Sequence, residues 1–121
     1  MKLRIMALDD EHHALERFAA VAEKFDEIVS CELFSDEEEL LCRLKPDKAD
    51  VVFLDIEMPG KSGMQLAKEI HAIDPGISVV FVTAYSQYAV EAFEEDAADY
   101  LLKPVSADRL RKTLDRLRSS G

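Results

Sequence analysis

Two rhythms of apolar residues alternate along this chain. Leu3 to Leu8, Val51 to Leu54, Ile77 to Val82 and Tyr100 to Leu102 are short, mostly unbroken apolar runs. They read as strands covered on both faces, as in a parallel sheet. Ile28 to Phe34 is a fifth strand. There Ser30 and Glu32 alternate with Val29, Cys31 and Leu33, as suits a sheet edge. Between the runs the spacing changes to three and four. Leu15, Phe18, Ala22 and Phe25 form one such stripe, Leu66, Ile70 and Ile73 another, and Leu110, Leu114 and Leu117 the last. Each predicts a helix with one buried face. Tyr88 to Glu95 predicts a short helix before the last strand.

Polar punctuation supports these boundaries. Ser35 with Glu38, and Ser62 with Gln65, have the spacing of capping boxes that open helices. Asp36, Glu37, Glu38 and Glu39 load one first turn with the charge that a helix N-terminus favours. Lys45-Pro46-Asp47, Met58-Pro59-Gly60 and Asp74-Pro75-Gly76 break the pattern. Asp108 with Lys112 and Arg111 with Asp115 are spaced to pair along the last helix. Five strands alternating with five helices imply an α/β domain with a parallel sheet covered on both sides. The expected fold is flavodoxin-like (βα)5, doubly wound, with strand order 2-1-3-4-5 and a crevice beside strands 1 and 3.

The chain has 121 residues, enough for one domain with a real core. Its 48% hydrophobic and 33% charged residues fit a soluble globular protein, and no apolar run is long enough to span a membrane. A cytoplasmic location is expected. The formal net charge of -10 argues against direct contact with nucleic acid, which needs clustered Lys and Arg. Cys31 and Cys42 lack metal-ligand spacing and read as small packing residues. His12, His13 and His71 read as solvated surface.

The chemistry collects at the strand ends. Strand 1 runs into Asp9-Asp10, strand 3 into Asp55, strand 4 into Thr83 and strand 5 into Lys103. In a parallel sheet all of these lie on one edge. Three clustered carboxylates repel one another unless a cation is present, and a hard divalent ion, Mg²⁺ above all or Mn²⁺, suits oxygen ligands. With a lysine and a hydroxyl beside the carboxylate, the set suits in-line attack of Asp55 on phosphorus.

Asp9-Asp10-Glu11, the run Asp55-Ile56-Glu57-Met58-Pro59-Gly60 and Lys103-Pro104 together resemble the receiver domains of two-component response regulators, over essentially the whole chain. The stretches Phe81 to Phe93 and Asp99 to Pro104 look most like receivers joined to a LytTR-type DNA-binding domain. The resemblance implies that Asp55 is the phospho-acceptor. It implies that Asp10 holds Mg²⁺ directly, Asp9 partly through water, Asp55 through its carboxylate, and Glu57 through its backbone carbonyl. Thr83 would turn toward the phosphoryl group, Lys103 would pair with Asp55 or its phosphate, and Tyr100 would change rotamer with Thr83. The Lys103–Pro104 bond would be cis. Many receivers carry a small or amide side chain where this chain has Glu57.

A histidine kinase would then be the donor, an output domain the effector, and a homodimer through helix 4, strand 5 and helix 5 the switched state. Residues 1–121 would be the receiver alone, with Ser119-Ser120-Gly121 leading toward an output domain outside this chain. Self-phosphorylation from small donors and autodephosphorylation are expected, but no enzymatic turnover of a substrate. Two other readings use the same residues. An aspartate-nucleophile phosphohydrolase would need a second Asp where Glu57 stands, and a cap for which there is no room. A pseudo-receiver that only binds partners would have no need of the full set of acids, Thr83 and Lys103.

Overall fold

The computed structural model describes residues 2–44, 49–57, 62–94 and 96–120. The elements run β1 (Leu3–Leu8), α1 (His12–Ala22), β2 (Ile28–Phe34), α2 (Glu37–Leu44), β3 (Val51–Leu54), α3 (Gly63–Ile73), β4 (Ser78–Thr83), α4 (Ala89–Glu94), β5 (Asp99–Leu102) and α5 (Ala107–Ser120). All four strand pairings are parallel, in the order β2-β1-β3-β4-β5. The expected flavodoxin-like architecture is the one observed. The breaks at Lys45-Pro46-Asp47 and Met58-Pro59-Gly60, like Glu95 and Gly121, lie outside the described residues. Among the described residues no helix is long and apolar enough to cross a membrane.

Strand side chains alternate across the sheet, so each strand feeds two cores. Met6, Leu8, Val52, Leu54, Val79 and Phe81 face α2 and α3, where Leu40, Leu66 and Ile70 meet them. Ile5, Ala7, Val51, Phe53, Val80 and Leu101 face α1 and α5, where Leu15, Phe18, Leu110 and Leu114 meet them. Phe18 and Phe53 meet at a tilt of 50° with ring centroids 4.7 Å apart. Both faces of β3 are covered, which is why Val51–Leu54 shows no polar alternation.

Several local expectations shift. The α2 cap is Asp36, not Ser35: its carboxylate accepts the Glu38 N–H at 3.1 Å and its carbonyl accepts the Leu40 N–H. Asp caps as well as Ser, and its charge also meets the helix dipole. At α3 the Ser62–Gln65 capping box forms as expected. Ile73, however, is 40% exposed at the C-terminal end of α3. Phe25 lies beyond the end of α1 and packs half-buried from the following turn.

In β2 the alternation is interrupted. The register with β1 slips between Leu3 and Arg4, leaving Val29 as an extra residue and 52% exposed. Leu33 is also largely exposed on this edge strand, while Cys31 stays half-buried. On α5, Arg111 pairs with Asp115 at 3.0 Å, whereas among the described residues Asp108 and Lys112 do not pair. Sequence spacing also gave no sign that α5 is clamped by arginines from two sides. Arg109 and Arg116 hold the buried Asp99 of β5, and Arg111 and Arg118 hold Glu27 before β2.

Candidate functional site

Register alone brings the acids together. Leu8 pairs with Leu54, so the next residue of each strand, Asp9 and Asp55, stands at the same level beyond the sheet. The Asp9 N–H donates to the Phe34 carbonyl at 3.1 Å, and the Asp55 N–H to the Leu8 carbonyl at 3.1 Å. Both side chains are buried, while Asp10 is exposed. One carboxylate oxygen from each of the three lies within 4.8 Å of the others. Such a set of hard oxygen donors fits a divalent cation.

Lys103 closes the cluster. Its backbone N–H donates to the Thr83 carbonyl at 2.8 Å, and its peptide bond to Pro104 is cis, as expected. The ammonium reaches Asp9 at 2.6 Å and Asp55 at 3.0 Å. Burial pushes the Asp55 carboxyl above its ordinary range. The Asp9 charge adds to this, while Lys103 and the Glu57 N–H oppose it. Burial also pulls on Lys103, lowering its affinity for a proton. Its bonds and charge pairing with Asp9 and Asp55 outweigh that effect and hold it above the ordinary lysine value. Lys103 therefore keeps a positive charge beside a carboxylate that burial alone would tend to neutralise.

The other candidates flank this centre. Thr83 ends β4 and is fully buried, and its hydroxyl accepts the Tyr85 N–H at 3.3 Å, so it is bonded to its own loop rather than to Asp55. Tyr100 is half-buried on β5, and its hydroxyl donates to the Tyr85 carbonyl. Glu57 donates its N–H to Asp55 at 3.3 Å, while its side chain accepts a hydrogen bond from the Tyr88 hydroxyl. A cleft of about 300 Å³ opens beside the centre between α1 and the start of the β5–α5 connection, lined by Asp9, Arg17, Phe18, Lys103 and Val105. His13 stands apart on the exposed face of α1, 3.9 Å from Glu16. Burial, with the charge of Glu23, pushes the Cys31 thiol up to about 11, which leaves it a poor nucleophile.

Two contributors were given no role at the site from sequence, Tyr88 being read with Tyr85 only as an interaction surface or as packing at the short fourth helix. A Cβ on Gly63 would sit 2.4 Å from the Asp55 carbonyl oxygen and 2.9 Å from Ile56 Cα. Only glycine lets α3 start against the backbone that carries Asp55. The glycine directly after the Ser62 cap was the available signal. The second is Tyr88, whose partner Glu57 lies 31 residues earlier, a separation that no local pattern reveals.

The sequence model of the family described as response regulator receiver domain matches residues 5–115. The sensory transduction protein LytT of Oceanobacillus iheyensis is 38% identical over 122 residues, covering 99% of this chain and 50% of that protein. A response regulatory protein of Vibrio cholerae is 45% identical over 117 residues, covering 95% of this chain and 48% of that protein. Among solved structures, the response regulatory domain of protein mrkE from Klebsiella pneumoniae superposes with a TM-score of 0.82 at 33% identity, covering 98% of this chain and 97% of that one. The chain spans about half the length of the curated relatives it matches.

Proposed function

This chain belongs to the response regulator receiver domain family of two-component systems, and from that premise we propose that Asp55 is the residue that accepts the phosphoryl group. The donor is a phosphohistidine on a sensor kinase: its P–N bond breaks, a P–O bond to the Asp55 carboxylate forms, and the released imidazole takes a proton from solvent. Small acyl phosphates serve in place of the kinase, and the aspartyl phosphate later hydrolyses.

The observation that carries this reading is the meeting of Asp9, Asp10, Asp55 and Lys103 at one sheet edge. Asp55 supplies the nucleophilic oxygen. Lys103 keeps it ionised, then follows the negative charge onto the phosphoryl oxygens. Thr83 exchanges its loop hydrogen bond for one to a phosphoryl oxygen, and the Tyr100 ring moves into the space it leaves. The three carboxylates suit Mg²⁺ or Mn²⁺: Asp10, Asp55 and the Glu57 backbone carbonyl would hold the ion, and Asp9 would act partly through water. When bound, the ion supplies positive charge that stabilises the transferring oxygens.

In this proposal residues 1–121 are the receiver unit of a cytoplasmic regulator whose LytTR-type output domain acts in transcription. Phosphorylation favours a homodimer through α4, β5 and α5. Val90, 70% exposed, and Phe93, 82% exposed, leave an uncovered apolar surface on α4 that suits such a contact.

The test is incubation with acetyl phosphate and Mg²⁺ followed by intact mass measurement. One added phosphate is expected, lost on chelation and in Asp55→Asn. An adduct that persists unchanged in Asp55→Asn would refute the assignment. Sustained turnover of simple phosphate esters would favour the phosphohydrolase reading, and no adduct at all the pseudo-receiver reading.

A further inference from the structure

Glu57 is held at the site by its backbone, whose N–H donates to Asp55. Its carboxylate nevertheless stays out of the acidic cluster, which among the described residues consists of Asp9, Asp10 and Asp55. It turns instead to the residue before α4, where the Tyr88 hydroxyl donates to its Oε1. Tyr88 is well supported from behind. Its ring packs on the core shared by β1, β3, β4 and α3, and Tyr85 meets it edge-on with centroids 6.3 Å apart. The Tyr85 carbonyl is in turn held by the Tyr100 hydroxyl.

A fourth carboxylate near this cluster has a conditional preference. Without a cation the three acids repel it; with a divalent ion bound it is drawn inward. A carboxylate drawn in would take a coordination position and add negative charge where a phosphoryl group must approach. A neutral phenol just outside gives Glu57 a charge-assisted hydrogen bond that competes with that move.

We propose that Tyr88 is a positioning residue that latches the Glu57 carboxylate outside the site, so that the phosphoryl group meets three acids and not four. The inference rests on the reading of the acidic cluster as a metal and phosphoryl site. It trades cation affinity for phosphoryl access.

The test variant is Tyr88→Phe, which keeps the ring and its packing. Mn²⁺ titration of the variant is expected to show binding about three- to tenfold tighter, because ligand charge sets the affinity of such sites. Beryllofluoride binding, measured at saturating metal, is expected to weaken by a similar factor. Both changes should vanish in a Glu57→Gln background, where no charge is left to restrain. A role in packing alone would not move the two affinities in opposite directions. The latch is overturned if both match wild type, if both move the same way, or if the shifts persist with Glu57→Gln. Amide resonances of residues 55–57, compared between Mg²⁺-saturated wild type and Mg²⁺-saturated Tyr88→Phe, provide a readout independent of the affinities, and resonances that do not differ would also overturn it. Wild-type protein that binds no Mn²⁺ refutes the metal reading itself, whereas normal binding with an unchanged variant refutes only the latch.

Discussion

Asp55 carries its charge where little water reaches it. Its folded-state pKa is raised by burial first and by Asp9 second. A raised carboxyl favours folding while protonated and loses that contribution as pH rises through the folded value. At neutral pH the ionised Asp55 therefore lowers stability, and Asp55→Asn should melt higher than wild type by about 2–6 °C. That gain should shrink on acidification, as wild-type Asp55 takes up its proton. Thermal melts between neutral pH and the carboxylate range check this, and a lower melting point for the variant at neutral pH would contradict it. Asp10 differs, being exposed and free to ligate. Asp10→Ala should weaken Mn²⁺ binding far more than Glu57→Ala, since alanine keeps the Glu57 backbone carbonyl; equal losses would contradict the ligand roles. The strand-tip acids, Thr83 and Lys103 were legible in the sequence because a parallel sheet delivers every strand end to one edge. The side-chain partner of Glu57 was not, because Tyr88 reaches it only through the tertiary fold.

At the scale of elements, strands and most helices followed from periodicity, since burial on one face or two is written into residue spacing. The misread details have local physical causes. Asp36 and Ser35 both suit a cap, and spacing alone does not choose between them. The bulge at Val29 depends on pairing with β1, which no pattern within β2 records. Gly63 shows how one element positions another. Gly63→Ala would force α3 away from the Asp55 carbonyl and should destabilise the fold by about 1–3 kcal/mol, with weaker metal binding. A variant of unchanged stability would show that the close approach is not required. The seat of α5 rests on Asp99, which Arg109, Arg116 and Thr113 bind and whose oxygen also accepts the Tyr100 N–H. Burial raises its pKa, but the bonds from Arg109 and Thr113 outweigh that and leave it lowered. Its contribution is present above the unfolded carboxylate value and is lost as pH falls through the folded one. Asp99→Asn should cost about 2–4 kcal/mol at neutral pH, because two arginines lose their acid, and less in acid, where denaturant melts can follow the difference.

For the whole molecule, the charge of -10 and the exposed apolar residues of α4 suggest different kinds of partner. The charge opposes binding to a DNA duplex, while Val90 and Phe93 suit a second copy of the chain. A bias of about 1.4 kcal/mol is enough to change dimerisation tenfold. Sedimentation with beryllofluoride and Mg²⁺ should show more dimer than without, and Phe93→Asp should remove the increase; a monomer under both conditions would contradict the dimer. The proposed switch depends on a phosphoryl group bound to one carboxylate. The most direct measurement is to phosphorylate the chain with acetyl phosphate, reduce the acyl phosphate with borohydride, and sequence the peptides by mass spectrometry. Homoserine at position 55 and nowhere else is the predicted result. Homoserine at position 9 or 10, or an unmodified peptide from a chain that had gained phosphate mass, would contradict it.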